Sequence, residues 1–287
     1  MISILISSFR RINLFRRALY SIWQNRPKED FEVVIADEIN DESELILAEL
    51  HKYDSCFPWK FLKCSMEEFT RLTDISKKHN NPAWTNNCAF RYSKGDQLFL
   101  MGNEIIAYQD TFNKMLSEIP QTEHYLAFST TVNLDEEILK HLDPLGHNLH
   151  PEWISGHAYK YVLASPNYPA DVTNYLSLCS RSVWTTLNGY NEGFLQGLAK
   201  EDSDFVRRCR AIPGWKDINN MVRSTALSLH QDHGSRTPYA KQTCMSDEKW
   251  DELANLTKPL YNSWDGSCKN SQTWTIGEGV IEIVSNG

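Results

Sequence analysis

The segment Lys200-Glu201-Asp202-Ser203-Asp204-Phe205 places three carboxylates within four residues, directly after the turn-forming run Asn188-Gly189-Tyr190-Asn191-Glu192-Gly193-Phe194. Carboxylates crowded at a loop-to-helix junction repel one another unless a metal, a cation or a proton compensates. Two uses fit the pattern: a catalytic acidic site, or an acidic first turn favoured by the helix dipole. Four more polar clusters stand out, each at or near the end of an apolar run: Ser7-Ser8-Phe9-Arg10, Asp37-Glu38, Gly102-Asn103-Glu104 and His230-Gln231-Asp232-His233. They carry oxygen and imidazole donors suited to hydroxyls, phosphates or a hard cation.

Strands and helices must bring these clusters together. Ile2 to Ile6 is β-branched and reads as a buried strand. Asn13 is a plausible cap for a helix carrying Phe15, Leu19, Ile22 and Trp23, with Pro27 at its exit. Phe31 to Ala36 is a second strand ending at Asp37, Glu42 to Tyr53 an amphipathic helix, and Phe57 to Leu62 a short third strand. This alternation predicts parallel β-α-β units. Thr85 to Tyr92 reads as a helix, Gln97 to Met101 as a central strand, Asp110 to Ile119 as a helix and Leu126 to Val132 as a strand. Residues 134–171 are rich in His, Pro and aromatic residues and read as an insertion or lid. A helix follows Glu201-Asp202 to about Arg210, and a strand runs near Ser224 to Leu229; the tail from Tyr239 is hard to place. The expected class is α/β, a mostly parallel sheet flanked by helices. Ligands of such sheets sit beyond the carboxyl ends of the strands, where the four clusters fall, so they describe one crevice.

The 287 residues suffice for one large α/β domain, or for a domain with an appended subdomain, and the net charge of -8 gives no global case for polyanion binding. Local Arg groups at Arg10, Arg11, Arg16 and Arg17 and at Arg207, Arg208 and Arg210 keep a nucleic acid acceptor open. Seven scattered cysteines without a C-x-x-C pair suggest free thiols in a reducing compartment. The opening apolar run is too short for a signal core and no segment is long enough to span a bilayer, so a cytoplasmic location is expected.

In order along the chain, I-S-I-L-I-S-S-F-R-R, F-E-V-V-I-A-D-E, N-P-A-W-T-N-N-C-A-F-R-Y-S-K-G-D, L-N-G-Y-N-E-G-F followed by E-D-S-D-F, and H-Q-D-H resemble the GT-A nucleotide-sugar glycosyltransferases of the family 2-like group. The similarity covers roughly residues 1 to 235 in order, and the ordered set is more specific than any one motif. It implies a GT-A domain over 1–238, a nucleotide-sugar half 1–104 and an acceptor half 105–238 that includes the lid, with 239–287 as an extension. One departure is clear. Where the family usually has D-x-D, this chain has Gly102-Asn103-Glu104, closer to the N-P-E of a subset.

What the resemblance implies for single residues follows. Asp37 would accept a hydrogen bond from the donor's uracil or ribose, with helix capping as its plain alternative. Ser7, Phe9 and Arg10 would face the same nucleotide, and Asn87 would lie on the nucleotide-side helix. Glu104, with Asn103 as a weaker neutral ligand and His230 and His233, would bind Mn2+ or Mg2+ on the diphosphate. Asp202 would be the general base on the acceptor hydroxyl, with Glu201 the runner-up, which implies inversion at the anomeric carbon. Asp204 would cap its helix or touch the acceptor, and Trp153 and His157 in the lid would stack on acceptor sugar faces. The expected partners are a nucleotide-sugar donor, foremost a UDP-sugar, and a glycan or other hydroxyl-bearing acceptor. The alternatives are a sugar-nucleotide-binding protein of the same fold without transfer activity, and a sugar-nucleotide nucleotidyltransferase. The latter usually carries a Gly-rich phosphate loop, which Ser7-Ser8-Phe9-Arg10-Arg11 lacks.

Overall fold

The computed structural model describes residues 1–73, 82–119, 124–134, 161–164, 173–197, 200–215, 225–231, 247–269 and 278–287. Four strands form its parallel centre: β1 (Ile2–Ser8), β2 (Phe31–Glu38), β3 (Trp59–Cys64) and β4 (Gln97–Gly102). Each is a continuous apolar run because both of its faces are covered. On β1 and β2, Ile2, Ile4, Ile6, Val33 and Ile35 pack with Phe15, Leu19 and Ile22 of helix α1 (Ile12–Gln24). The alternate residues Leu5, Val34 and Ala36 pack with Trp84, Cys88 and Ala89 of helix α4 (Ala83–Tyr92) on the other face. Helices α2 (Ser43–His51) and α3 (Met66–Thr73) complete this half.

Two further strands extend the sheet beyond β4: β6 (Leu126–Phe128) and β9 (Tyr175–Ser180), both antiparallel additions. The other edge is β11 (Val280–Ser285), antiparallel to β3, so the tail that resists placement from sequence completes the sheet, in the order β11-β3-β2-β1-β4-β9-β6. A smaller sheet joins β5 (Ile105–Tyr108), β10 (Leu227–Gln231), β7 (Thr130–Leu134) and β8 (Tyr161–Ala164) in the order β5-β10-β7-β8. Helices α5 (Thr111–Ser117), α6 (Arg181–Leu187), α7 (Glu201–Arg210) and α8 (Asp247–Asn262) and a 3-10 helix (Glu192–Gln196) finish the described elements. No described helix is long and apolar enough to cross a membrane.

The α/β class and the central position of β4 agree with the sequence. Three local expectations change. Asn13 lies inside α1 rather than capping it; the first helical N–H, that of Ile12, donates to Glu42 Oε2 at 2.8 Å. The stretch expected as one strand over Leu126 to Val132 is two, because the chain passes at Ser129 from the large sheet to the small one. A buried hydroxyl network makes that crossing possible: Ser228 Oγ contacts Ser129 Oγ at 2.8 Å and Thr131 Oγ1 at 2.9 Å, and donates to the Tyr175 carbonyl at 2.9 Å. Finally, His230 is the penultimate residue of β10 rather than following the strand. Of the expected lid, Leu134 ends β7, opposite Gln231 of β10, and Tyr161–Ala164 form β8, paired with β7. The rest, with Trp153 and His157, lies outside the described residues, as does His233.

Candidate active site

Parallel register fixes the first wall of the crevice. Ser8 lies beside Asp37 across β1 and β2, and Ser7 beside Gly102 across β1 and β4. Asp37 is fully buried and accepts from Ser43 Oγ at 2.5 Å, while its Oδ1 has no hydrogen bond. Burial pushes its pKa up to about 6, against the pull of the Ser43 hydroxyl. Both expected uses therefore meet here: one oxygen holds the start of α2, and the other is unspent. Ser7 Oγ and Thr85 Oγ1 are 2.7 Å apart, which ties the end of β1 to the start of α4.

Around this junction lies a cavity of about 120 Å³ lined by Ser7, Phe9, Arg11, Pro82, Gly102, Asn103, Glu104 and Asn174. Small-molecule sites usually span about 300–1,000 Å³, so this cavity by itself is smaller than a site for a whole nucleotide sugar. Glu104 projects back over Gly102, where a Cβ would stand 2.9 Å from its Oε1, so a larger residue there would displace the carboxylate. His230 Nε2 is 4.0 Å from Glu104 Oε1, and its Nδ1 meets Asn133 Oδ1 at 2.7 Å. When Nδ1 donates to that amide oxygen, neutral His230 turns its Nε2 lone pair towards Glu104. Glu104 and His230 would hold a divalent ion only together with further oxygen donors, such as those of a bound phosphate. Among the described residues no three His, Cys, Asp or Glu side chains group closely enough to hold a metal by themselves. The donors present thus fit a divalent ion shared with a ligand, not a closed protein site.

Arg10 and Asn103 serve the turn that leads out of β1. Arg10 and Arg11 both have left-handed backbone, with φ of 58° and 68°. Asn103 Nδ2 donates to the Arg10 carbonyl at 2.9 Å and pins this turn. The Arg10 side chain is 57% exposed and pairs with Asp41 at 3.1 Å. It is Arg11 that lines the cavity, with Nη1 3.5 Å from Glu104 Oε2. Phe9 lines the same cavity.

Asp202 reaches the opposite wall through Thr173. Its Oδ1 accepts from the Thr173 N–H at 3.2 Å, from the Thr173 hydroxyl, and from Tyr190 OH at 3.3 Å. The next residue, Asn174, lines the cavity and accepts from Asn86 Nδ2 at 3.1 Å. Burial, then the charge of Asp202, raises the Tyr190 pKa well above its ordinary value, so that phenol stays a donor. Glu201 is the first residue of α7, beside Asp202.

Two expected ligands are structural. Asn87 is fully buried; its Nδ2 donates to Glu192 Oε1 at 3.0 Å, and its Oδ1 accepts from the Tyr190 N–H at 3.1 Å. Its hydrogen bonds fasten α4 to the turn before α7. Asp204 is buried between Arg207 Nη2 at 2.6 Å and Arg208 Nε at 2.7 Å, and Arg208 also caps the Leu187 and Gly189 carbonyls at 3.1 and 2.9 Å. Its carboxylate does not cap α7, whose N-cap is Lys200.

Sequence inspection missed Arg11, Thr173, Asn174, Tyr190 and Gln231. Gln231 accepts from Arg17 Nη1 at 2.9 Å and donates to the Leu14 carbonyl at 3.0 Å and the Glu104 carbonyl at 3.2 Å, which locks α1 and β10 around Glu104. Gln231 and Arg11 sit inside quoted motifs, so adjacency was a usable signal; Thr173 and Asn174 carry none.

A family model, glycosyl transferase family 2, matches residues 3–151, just over half of the chain. No curated protein matches the sequence. Among solved structures, the mannosyltransferase PcManGT from Pyrobaculum calidifontis, in complex with GDP-Man and Mn2+, superposes with a TM-score of 0.53 at 12% identity, covering 83% of this chain and 58% of its own. S. aureus TarS 1-349 in complex with UDP-GlcNAc gives 0.51 at 12% identity, over 92% of this chain and 67% of its own. The same TarS fragment with UDP gives 0.53 at 12% identity, over 92% and 66%. The chain spans less than two thirds of the mannosyltransferase's length. At this identity the superpositions establish the fold, that of the GT-A glycosyltransferases.

Proposed function

The chain belongs to glycosyl transferase family 2, and we propose that it moves a sugar, hexose or pentose, from a nucleotide-sugar donor to an acceptor hydroxyl with inversion. A UDP-sugar is the donor we favour. The observation that supports this is a shared cavity: Ser7 and Glu104, at the ends of β1 and β4, line it with Asn174, whose neighbour Thr173 holds Asp202, and Asp37 lies buried beside Ser8 at the end of β2. The solved structures with GDP-Man and Mn2+, UDP-GlcNAc and UDP support the donor class.

In this mechanism Asp37 accepts a hydrogen bond from the base or ribose through its unspent oxygen, and Ser7 and Phe9 hold the nucleotide against β1. Residues 1–104 bind the donor and 105–238 the acceptor, with Trp153 and His157 against the acceptor and 239–287 bracing the domain. A divalent ion on Glu104 and His230, with His233 as a further ligand, would supply Lewis-acid relief of the diphosphate charge. Asp202, held by Thr173 and Tyr190, takes the proton of the acceptor hydroxyl as that oxygen bonds to the anomeric carbon. The bond from that carbon to the diphosphate oxygen breaks, and the nucleoside diphosphate leaves with the electron pair. Attack from the face opposite the departing nucleotide inverts the centre.

A thermal-shift panel of nucleotide sugars with Mn2+, followed by transfer assays on Asp202→Asn, tests this. One donor should raise the midpoint of unfolding. Asp202→Asn should bind that donor unchanged and lose roughly 10²–10⁴ in kcat. Stabilisation without transfer by the native chain would favour the sugar-nucleotide-binding alternative. No response to any nucleotide sugar would sink the proposal.

A further inference from the structure

Resting on the donor assignment above, we propose that Arg11 is a donor-binding residue that meets the diphosphate directly, so that nucleotide binding survives removal of the divalent ion. The three residues Gly102, Asn103 and Glu104 all act on the Arg11 turn. Gly102 gives Glu104 the room to fold back. Asn103 pins the Arg10 carbonyl at 2.9 Å. Glu104 Oε2 then stands 3.5 Å from Arg11 Nη1, on the side away from its 4.0 Å approach to His230. The left-handed backbone at both arginines sends their side chains apart: Arg10 leaves for Asp41 and Arg11 enters the cavity.

Charge then decides the behaviour. A rim of two bare carboxylates repels a diphosphate until a divalent ion intervenes. Among the described residues that line this cavity, the one carboxylate, Glu104, is matched by one guanidinium, Arg11, so the lining starts near neutral. Arg11 is 35% exposed and a guanidinium offers five N–H donors, more than Glu104 can take. The remaining donors suit phosphate oxygens in paired geometry. The same cation stands beside the metal's carboxylate and so lowers its affinity for a divalent ion. Arg11 therefore couples the two ligands with opposite signs.

Calorimetric titration of the full chain with UDP and GDP in EDTA, and with Mn2+ alone, tests this. The native chain should bind one nucleotide in EDTA. Arg11→Gln should weaken that binding roughly ten- to a hundredfold, the range for a charged hydrogen bond, and should tighten Mn2+ alone. Glu104→Gln should do the reverse: Mn2+ affinity falls and metal-free nucleotide affinity rises. A damaged fold loses both, so opposite signs in the two variants separate the effect from misfolding. Nucleotide binding that needs Mn2+ in the native chain, or that Arg11→Gln leaves unchanged, overturns the inference while the donor assignment stands. Absence of nucleotide binding with Mn2+ as well as in EDTA overturns both.

Discussion

Replacing Asp37 by Asn should stabilise the protein at neutral pH and weaken its hold on nucleotide. Asp37 is 0% exposed, and burial raises its pKa from 3.8 to about 6. Between these values the folded chain holds a proton that the unfolded chain has released. Stability therefore falls as pH rises from about 4 to about 6, and the penalty is complete above the folded pKa. A shift of about 2 units at 1.36 kcal/mol each corresponds to a cost of about 3 kcal/mol at pH 7. Asn has nearly the same shape, can still accept from Ser43, and presents an amide to the Ser8 hydroxyl across the sheet register. Urea unfolding of both proteins from pH 3.5 to pH 8 measures the difference. The variant should be more stable by about 2–3 kcal/mol at pH 7, with the gap closing towards pH 4. Nucleotide affinity should fall, because Asn offers one acceptor oxygen where the carboxylate offers two. A gap that does not change with pH, or a variant less stable at pH 7 than at pH 4 relative to native, would refute the assignment of a strained, ionised carboxylate at this position.

Gly102→Ala should displace the Glu104 carboxylate, since the new methyl would stand 2.9 Å from Oε1; Mn2+ affinity should fall roughly ten- to a hundredfold, and unchanged affinity in a titration would show that Glu104 does not need this space. Arg208→Ala should cost about 3–5 kcal/mol in chemical unfolding, because it leaves the buried Asp204 charge and the Leu187 and Gly189 carbonyls short of a partner. Donor affinity should be retained in that variant at temperatures where it stays folded. A shift in acceptor KM with no loss of stability would return Asp204 to the acceptor site.

The alternation of buried β-branched runs with amphipathic helices was written locally, so β1 to β4 and their parallel order followed from the chain itself. Parallel sheets collect ligands at the carboxyl ends of their strands, and that rule pointed to the ends of β1, β2 and β4, where Ser7 and Glu104 line a cavity and Asp37 lies buried. Side-chain direction was not written locally. Arg10 and Arg11 are neighbours of the same type, and the left-handed turn pinned by Asn103, from the turn after β4, decides which one enters the cavity. Asn87 and Asp204 look like ligands by type and spacing, yet partners far along the chain or a turn away, Tyr190, Glu192 and Arg208, spend their hydrogen bonds in the core. Thr173 and Asn174 belong to no motif and join Asp202 to the cavity only because β9 lies beside β4. A periodic pattern reports which face of an element is buried; which atom meets which depends on contacts between residues tens to hundreds of positions apart, and only the assembled fold supplies those.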